Sequence, residues 1–188
     1  MSFDKHPTMS SAKTGAGRDG WQTPGKALDP IIDFAGGQLL LDVATAPDNP
    51  TGARHFYTEA QDGLILPWQV GRSSGTAFSN PPYSNSKAWI AKAVLEADQG
   101  AEIVMLIASR TGAKYFAPVF RADALCFVQG RLTFNDPDTG EPVRGGKDGR
   151  PMPAPFDSAI VYWGARAARF RRKLGHLGEI VMPMRGAR

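Results

Sequence analysis

The strongest constraint on the fold is an uninterrupted apolar run at residues 101–109, AEIVMLIAS. It follows an amphipathic helical pattern at 86–99 that Gly100 ends. Because this run does not alternate with polar residues, it predicts a strand buried on both faces. A shorter apolar run at 38–45 carries Asp42 at its end, and residues 53–58 suggest another short strand. Alternation of such strands with helices predicts an α/β domain with a mostly parallel sheet.

The remaining elements complete this picture. A helix is predicted from Pro24 to Phe34 with Thr23 as its N-cap, and a short helix at 111–120. A strand at 76–79 must end before Pro81, because proline cannot donate to a strand ladder. Strands at 122–130, 131–134 and 158–164 follow one another closely and predict an antiparallel C-terminal edge. The loop at 135–157 is rich in glycine, proline and charge, so it is either functional or disordered.

The charged residues are distributed unevenly along the chain. The net charge is +4, yet residues 165–188 hold seven Arg and Lys side chains against one Glu, and the remainder has a small acidic excess. This basic segment is either a solvated surface or a phosphate-contacting edge, and charge alone leaves both open. We therefore expect a flexible arm at 1–20, a folded domain at 21–165 and a basic segment at 166–188.

The composition also argues against several classes of protein. One cysteine and three scattered histidines make a Cys/His zinc site implausible, and no metal is expected. No apolar run approaches the length that spans a bilayer, and the polar N-terminus does not resemble a secretory signal. We expect a cytoplasmic protein.

The segment 79–84, SNPPYS, carries the most specific chemistry. Pro81 and Pro82 fix two φ angles and remove two N–H donors, which leaves a stiff turn with free carbonyl acceptors. Asn80 precedes this turn and Tyr83 follows it, so an amide oxygen and an aromatic ring are held in fixed positions. The Asn80 oxygen and the Pro81 carbonyl can accept hydrogen bonds from an amino group, and the Tyr83 ring can stack on a heterocycle.

Asn-Pro-Pro-Tyr at a strand end resembles the catalytic motif of amino-methyltransferases that use S-adenosyl-L-methionine. The order of the surrounding motifs is similar to that of the compact phage-type DNA N-6-adenine methyltransferases. This resemblance implies a Rossmann-like methyltransferase fold over residues 21–165 and methylation of a flipped adenine in double-stranded DNA. It also implies a location in a bacterial cell or a phage-infected host. The motifs that carry the resemblance are at 21–24, 41–44, 62–64 with Trp68, 80–84, 108–111, 130–134 and 155–161.

The resemblance also implies roles for individual residues. Asn80, Pro81, Pro82 and Tyr83 would bind the target base. An acid after the second strand would take the cofactor ribose or adenine, with Asp62 favoured over Glu59. The implied cofactor residues are Trp21, Gln22, Thr23, Pro24, Asp42, Ala44 and Asp62. Candidates for DNA phosphates, chosen by position and charge, are Arg110, Lys114, Arg131, Arg171, Arg172 and Lys173.

Several alternatives stay open at this stage. No Gly-rich loop follows Asp42, which favours a DNA-binding remnant without catalysis, and Asp42 could be a helix N-cap. Trp21 and Trp68 could be core aromatics, and Arg110 and Arg131 could be surface charges. The same chemistry would also serve methylation of an RNA base or a protein glutamine.

Overall fold

The computed structural model describes residues 19–71 and 73–183, and its centre is a seven-stranded sheet. The strands of this sheet are β1 Leu41–Asp42, β2 His55–Phe56, β3 Thr76–Ser79, β4 Glu102–Ala108, β5 Ala124–Val128, β8 Ser158–Trp163 and β9 Gly178–Val181. Their order is β2-β1-β3-β4-β8-β5-β9. The pairs β1–β2, β1–β3 and β3–β4 are parallel, and the pairs β4–β8, β5–β8 and β5–β9 are antiparallel. The expected α/β fold with a mostly parallel sheet and an antiparallel edge is therefore confirmed.

Helices cover both faces of the sheet. The helices α1 (Gly25–Ala35) and α3 (Ala167–Leu174) share one hydrophobic core, which holds Phe34, Tyr162 and Phe170. On the other face α2 (Ser86–Asp98) and a 3-10 helix (Lys114–Arg121) contribute to a second core. The strand β4 supplies both cores, because its successive side chains point to opposite faces. Its last six residues are buried, as the apolar run at 101–109 predicted.

The long excursion between β5 and β8 contains a small hairpin, β6 (Arg144–Gly145) with β7 (Arg150–Pro151). Residues 131–134, at the start of this excursion, do not form the strand expected from the sequence. Their main chain pairs with later residues of the excursion and not with the sheet. The Leu132 carbonyl accepts from the Ala154 amide and the Phe134 carbonyl from the Val143 amide, both at 2.8 Å.

The N-terminus of α1 also differs from the expectation. Pro24, not Thr23, occupies the N-cap position, and its carbonyl accepts from the Ala27 amide at 2.9 Å and the Leu28 amide at 3.0 Å. No side chain caps this end of the helix. Thr23 is buried and lies at the carboxyl edge of the sheet instead.

The described part of the basic segment, residues 166–183, packs on the same sheet. Arg166 forms a salt bridge with Glu102, and the Arg169 guanidinium donates to the carbonyls of Phe34 and Asp33, each at 2.9 Å. Lys173 Nζ lies 2.7 Å from an Asp33 carboxylate oxygen. Several basic side chains of this segment therefore hold α3 against α1 and β4.

The arm expected at 1–20 lies outside the described residues except for Asp19 and Gly20. In the described ranges no helix is long and apolar enough to cross a membrane.

Candidate active site

A cleft of about 1120 Å³ opens beyond the carboxyl ends of β1 and β3. β2 and β3 pair with opposite edges of β1, so the chain order reverses there, and ligands of open α/β sheets bind at such a switch point. The volume lies at the upper end of the roughly 300–1,000 Å³ of small-molecule sites. The cleft is therefore large enough to hold a small-molecule ligand.

Asn80 follows the last residue of β3 and lines the cleft. Its Nδ2 donates to the Trp21 carbonyl at 3.0 Å, and its Oδ1 accepts from the Tyr83 hydroxyl at 3.1 Å. Because an amide oxygen has two lone pairs, Oδ1 can accept one further hydrogen bond. The side chain before the double proline is thus an oriented acceptor at the wall of the cleft.

Tyr83 does not line the cleft, although the sequence suggested that its ring stacks on a ligand. Its ring centroid lies 4.7 Å from that of Phe156 and 5.9 Å from that of Phe134. Burial raises the pKa of the Tyr83 hydroxyl far above its usual range, so this group is a protonated donor. In this structure Tyr83 contacts other aromatic side chains and Asn80.

Asp42 ends β1 and is 2% exposed. Its carboxylate accepts from the Thr51 hydroxyl at 2.8 Å and from the Ala44 amide at 3.2 Å. Burial raises the pKa of the Asp42 carboxyl to about 6, although the hydrogen bonds counteract part of that rise. The segment after Asp42 forms turns, so this residue is not a helix N-cap. In the described residues no salt bridge neutralises it, which leaves a buried carboxylate able to receive a cation.

The opposite wall of the cleft depends on Gly63. A Cβ at this position would lie 2.0 Å from the Val43 carbonyl oxygen, so only glycine allows the turn to approach β1 this closely. Asp62 adopts a φ of 55°, and its Oδ1 accepts from the Leu64 amide at 2.9 Å, which stabilises the turn. The Gly63 carbonyl accepts from the indole N–H of the fully buried Trp68 at 2.7 Å. Trp68 is therefore a core aromatic that supports the cleft wall.

The segment 21–24 crosses the edge of the sheet beside Asn80. Gln22 and Asn135 exchange two main-chain hydrogen bonds of 2.9 and 3.0 Å, and the Trp21 ring stacks on Phe134 at 5.7 Å. Trp21 is 9% exposed and also lines the cleft, so it is both a core residue and a wall residue.

The structure brings most of the predicted cofactor residues together around this cleft, but not Pro24. Pro81 is buried next to Asn80 without lining the cleft. Sequence reasoning missed the turn at 45–51 and Trp89; the proline- and asparagine-rich composition directly after Asp42 was the available signal. The predicted residues that line the cleft are Trp21, Gln22, Thr23, Asp42, Ala44, Asp62, Asn80 and Pro82, and the open alternative Glu59 lines it as well.

The six candidate phosphate contacts lie outside the cleft in two groups. Arg110 follows β4 and Arg131 follows β5, at the same edge of the sheet as Asn80, and both are exposed, as is Lys114. Arg131 Nε lies 3.7 Å from Asp157. The second group is on α3, where Arg171 and Arg172 are exposed and Lys173 is paired with Asp33. In the described residues, no cluster of His, Cys, Asp and Glu side chains suits a metal ion.

Together, the switch-point cleft, the buried carboxylate and the oriented amide beside a double proline define an α/β protein with a candidate ligand site at the carboxyl edge of its sheet. A sequence model of the DNA N-6-adenine-methyltransferase (Dam) family matches residues 10–152, more than half of the chain. The chain therefore belongs to this family of DNA adenine methyltransferases, as its motifs indicated. A search of curated proteins gives no match.

The close approach of Gly63 to the Val43 carbonyl predicts that a side chain at position 63 destabilises the protein. Gly63→Ala forces the added methyl against the Val43 carbonyl, so we expect a loss of roughly 1–3 kcal/mol in the free energy of unfolding. Urea denaturation measures it. Gly112→Ala is the matched control, because a Cβ there meets no atom within 4 Å. Equal stability of the two variants would contradict the packing described here.

Proposed function

We propose that this protein transfers a methyl group from S-adenosyl-L-methionine to the exocyclic amine of an adenine flipped out of double-stranded DNA. We also propose that the chain has the compact Rossmann-like methyltransferase fold of phage and prophage enzymes. The observation that carries it is the Asn80 amide, which is held at the cleft wall with Oδ1 as an oriented acceptor. Membership in the Dam family supports adenine in DNA as the substrate.

The residues of the cleft fit the cofactor. S-adenosylmethionine carries an ammonium and a sulfonium, and the buried Asp42 carboxylate has no cationic partner among the described residues. A cation next to it would offset the cost of burying its charge. The other residues proposed to hold the cofactor are Trp21, Gln22, Thr23, Ala44 and Asp62, all of which line the cleft. When bound, the cofactor supplies an electrophilic methyl group.

The protein's own part in the reaction is to orient the amine. The nitrogen lone pair of adenine is delocalised into the ring, so the amine is a weak nucleophile. Asn80 Oδ1 and the Pro81 carbonyl would accept its two hydrogens and favour a pyramidal nitrogen. Neither acceptor is a base, so the proton lost on methylation goes to solvent. Positioning and preorganised dipoles therefore provide most of the catalysis.

Base flipping requires the DNA to lie across the carboxyl edge of the sheet. Unstacking a base costs roughly a few kcal/mol, which phosphate contacts outside the cleft can offset. The exposed Arg110, Lys114 and Arg131 belong to that edge. Arg171 and Arg172 on α3 are the second exposed group, and we propose that they contribute less than the edge group.

The first prediction of this function concerns methyl transfer. With labelled S-adenosylmethionine and unmethylated duplex DNA, nucleoside analysis is expected to yield N6-methyladenine. Asn80→Ala should abolish transfer while cofactor affinity remains nearly unchanged. Pro81→Ala keeps the carbonyl but no longer fixes the φ angle of the turn, so it should lower transfer with the same cofactor affinity. Gln69→Ala is a matched control, because it removes an exposed amide that donates to the Gln99 carbonyl away from the cleft.

The alternatives give other results in the same assay. Transfer to RNA or to a glutamine peptide, and not to DNA, would replace DNA as the substrate. Absence of both transfer and cofactor binding would identify a DNA-binding remnant. Full activity of Asn80→Ala would refute the role of the amide.

Asp42 predicts a pH dependence of cofactor binding. Its pKa of about 6 means that the carboxyl is protonated at pH 5 and must lose that proton to pair with a cation. Affinity for S-adenosylmethionine should therefore fall about tenfold between pH 8 and pH 5. Calorimetry should find Asp42→Asn weaker and nearly independent of pH in this range. The exposed Asp48→Asn is the control, and a pH-independent wild type would contradict this contact.

The two groups of basic side chains predict how DNA binding depends on salt concentration. Replacing Arg110, Lys114 and Arg131 by Gln should weaken DNA binding and reduce the slope of log affinity against log salt by about 2 to 3. Replacing Arg171 and Arg172 by Gln should have a smaller effect. Fluorescence anisotropy over a salt series measures both, and a larger effect of the α3 variant would place the DNA on that helix instead.

A further inference from the structure

The Asn80 side chain is engaged at both ends of its amide. Nδ2 donates to a main-chain carbonyl 59 residues earlier in the chain, that of Trp21, at 3.0 Å. Oδ1 accepts from the Tyr83 hydroxyl at 3.1 Å. A flipped amide would turn its oxygen toward the Trp21 carbonyl, and two acceptors repel each other, whereas the Tyr83 hydroxyl can either donate or accept. The Trp21 contact therefore selects the orientation of the amide, and in that orientation the Tyr83 hydroxyl donates to Oδ1.

The Trp21 carbonyl is itself fixed. The next residue, Gln22, shares two main-chain hydrogen bonds with Asn135, and the Trp21 ring stacks on Phe134. On the other side of the turn the Asp19 carboxylate accepts from the Ser84 amide at 3.0 Å. The N-terminal strap, defined here as residues 19–24, is therefore tied to the catalytic turn and to the excursion that follows β5.

The Tyr83 hydroxyl is the second fixed group. Its ring lies among Phe134 and Phe156 and does not line the cleft, so the hydroxyl reaches Asn80 from the protein side. Burial raises the pKa of this hydroxyl far above neutrality, and it stays a donor throughout the working pH range. One lone pair of Oδ1 accepts this donor, and the other is left for the substrate amine.

We propose that the Trp21 carbonyl and the Tyr83 hydroxyl clamp the Asn80 amide in its reactive orientation, so that position 80 requires an amide and Tyr83 is a positioning residue. The inference rests on the proposed function. It assigns Tyr83 a role through its hydroxyl, whereas a stacking platform would act through its ring. It also gives the N-terminal strap a part in orienting the acceptor.

The clamp has a specific consequence for a carboxylate at position 80. Asp would still offer an acceptor to the substrate amine and to Tyr83. Its second oxygen, however, would face the Trp21 carbonyl at the distance where Nδ2 now donates, and two acceptors repel each other. Chemistry at the amine alone predicts a working Asn80→Asp enzyme, and the clamp predicts a defective one.

The experiment compares Tyr83→Phe and Asn80→Asp with the wild type by steady-state methylation of duplex DNA. Tyr83→Phe keeps the ring and should lower kcat roughly two- to tenfold, the factor of one ordinary hydrogen bond, without changing KM for DNA. Asn80→Asp should lower kcat roughly ten- to hundredfold. Calorimetry should find cofactor affinity within twofold of the wild type in both variants. Tyr57→Phe is the matched control, because it also removes one hydroxyl hydrogen bond, to the Pro67 carbonyl.

Each outcome either supports or overturns the proposed clamp of the Asn80 amide. Wild-type kcat in Tyr83→Phe, or wild-type kcat in Asn80→Asp, would overturn the clamp while the proposed function stands. If Tyr83→Phe changed KM for DNA and not kcat, the hydroxyl would belong to DNA binding, and this result would also overturn the clamp. A wild-type protein that does not methylate DNA would overturn the proposed function, and the clamp with it. Thermal unfolding excludes misfolding as the cause of a lost kcat.

Discussion

The arrangement of the cleft depends on the parallel pairing of β1 with β3. Leu41 pairs with Ala77 and Asp42 with Phe78, and the Val43 amide continues the ladder to the Phe78 carbonyl at 3.0 Å. Parallel strands bring their carboxyl ends to one edge, so this register places Asp42 and Asn80 at the same cleft. A shift by one residue would turn every side chain of the short β1 to the other face.

The second layer of organisation is the use of a distant main-chain group to hold a polar side chain of the cleft. The Asn80 amide donates to the Trp21 carbonyl, 59 residues earlier in the chain. This contact joins segments that are far apart in sequence, and closing the loop between them costs chain entropy during folding. In the proposed reaction, Asn80 Oδ1 would therefore need no rearrangement when the substrate amine arrives, which is the condition for electrostatic preorganisation.

Charge has two separate uses in the chain. Arg166, Arg169 and Lys173 attach α3 to its neighbours through Glu102, main-chain carbonyls and Asp33. The basic character near the C-terminus is therefore partly structural. The exposed cations at the carboxyl ends of β4 and β5 lie at the edge where the cleft opens, and a polyanion across that edge would meet them.

The α/β class, the buried strand β4, the helix α2 and the family could be predicted from the sequence, because apolar periodicity and the 80–83 motif are local signals. Most of the cofactor residues that the sequence indicated line the cleft. The sequence did not indicate α3 and β9 as parts of the sheet domain, because the dense charge of that segment conceals Phe170 and Leu174, which are buried. Two features could not be predicted from the sequence: the packing of the Tyr83 ring against Phe156, and the main-chain pairing of residues 131–134 with Val143 and Ala154. Both depend on contacts between residues that are not neighbours in the sequence, which no local pattern encodes.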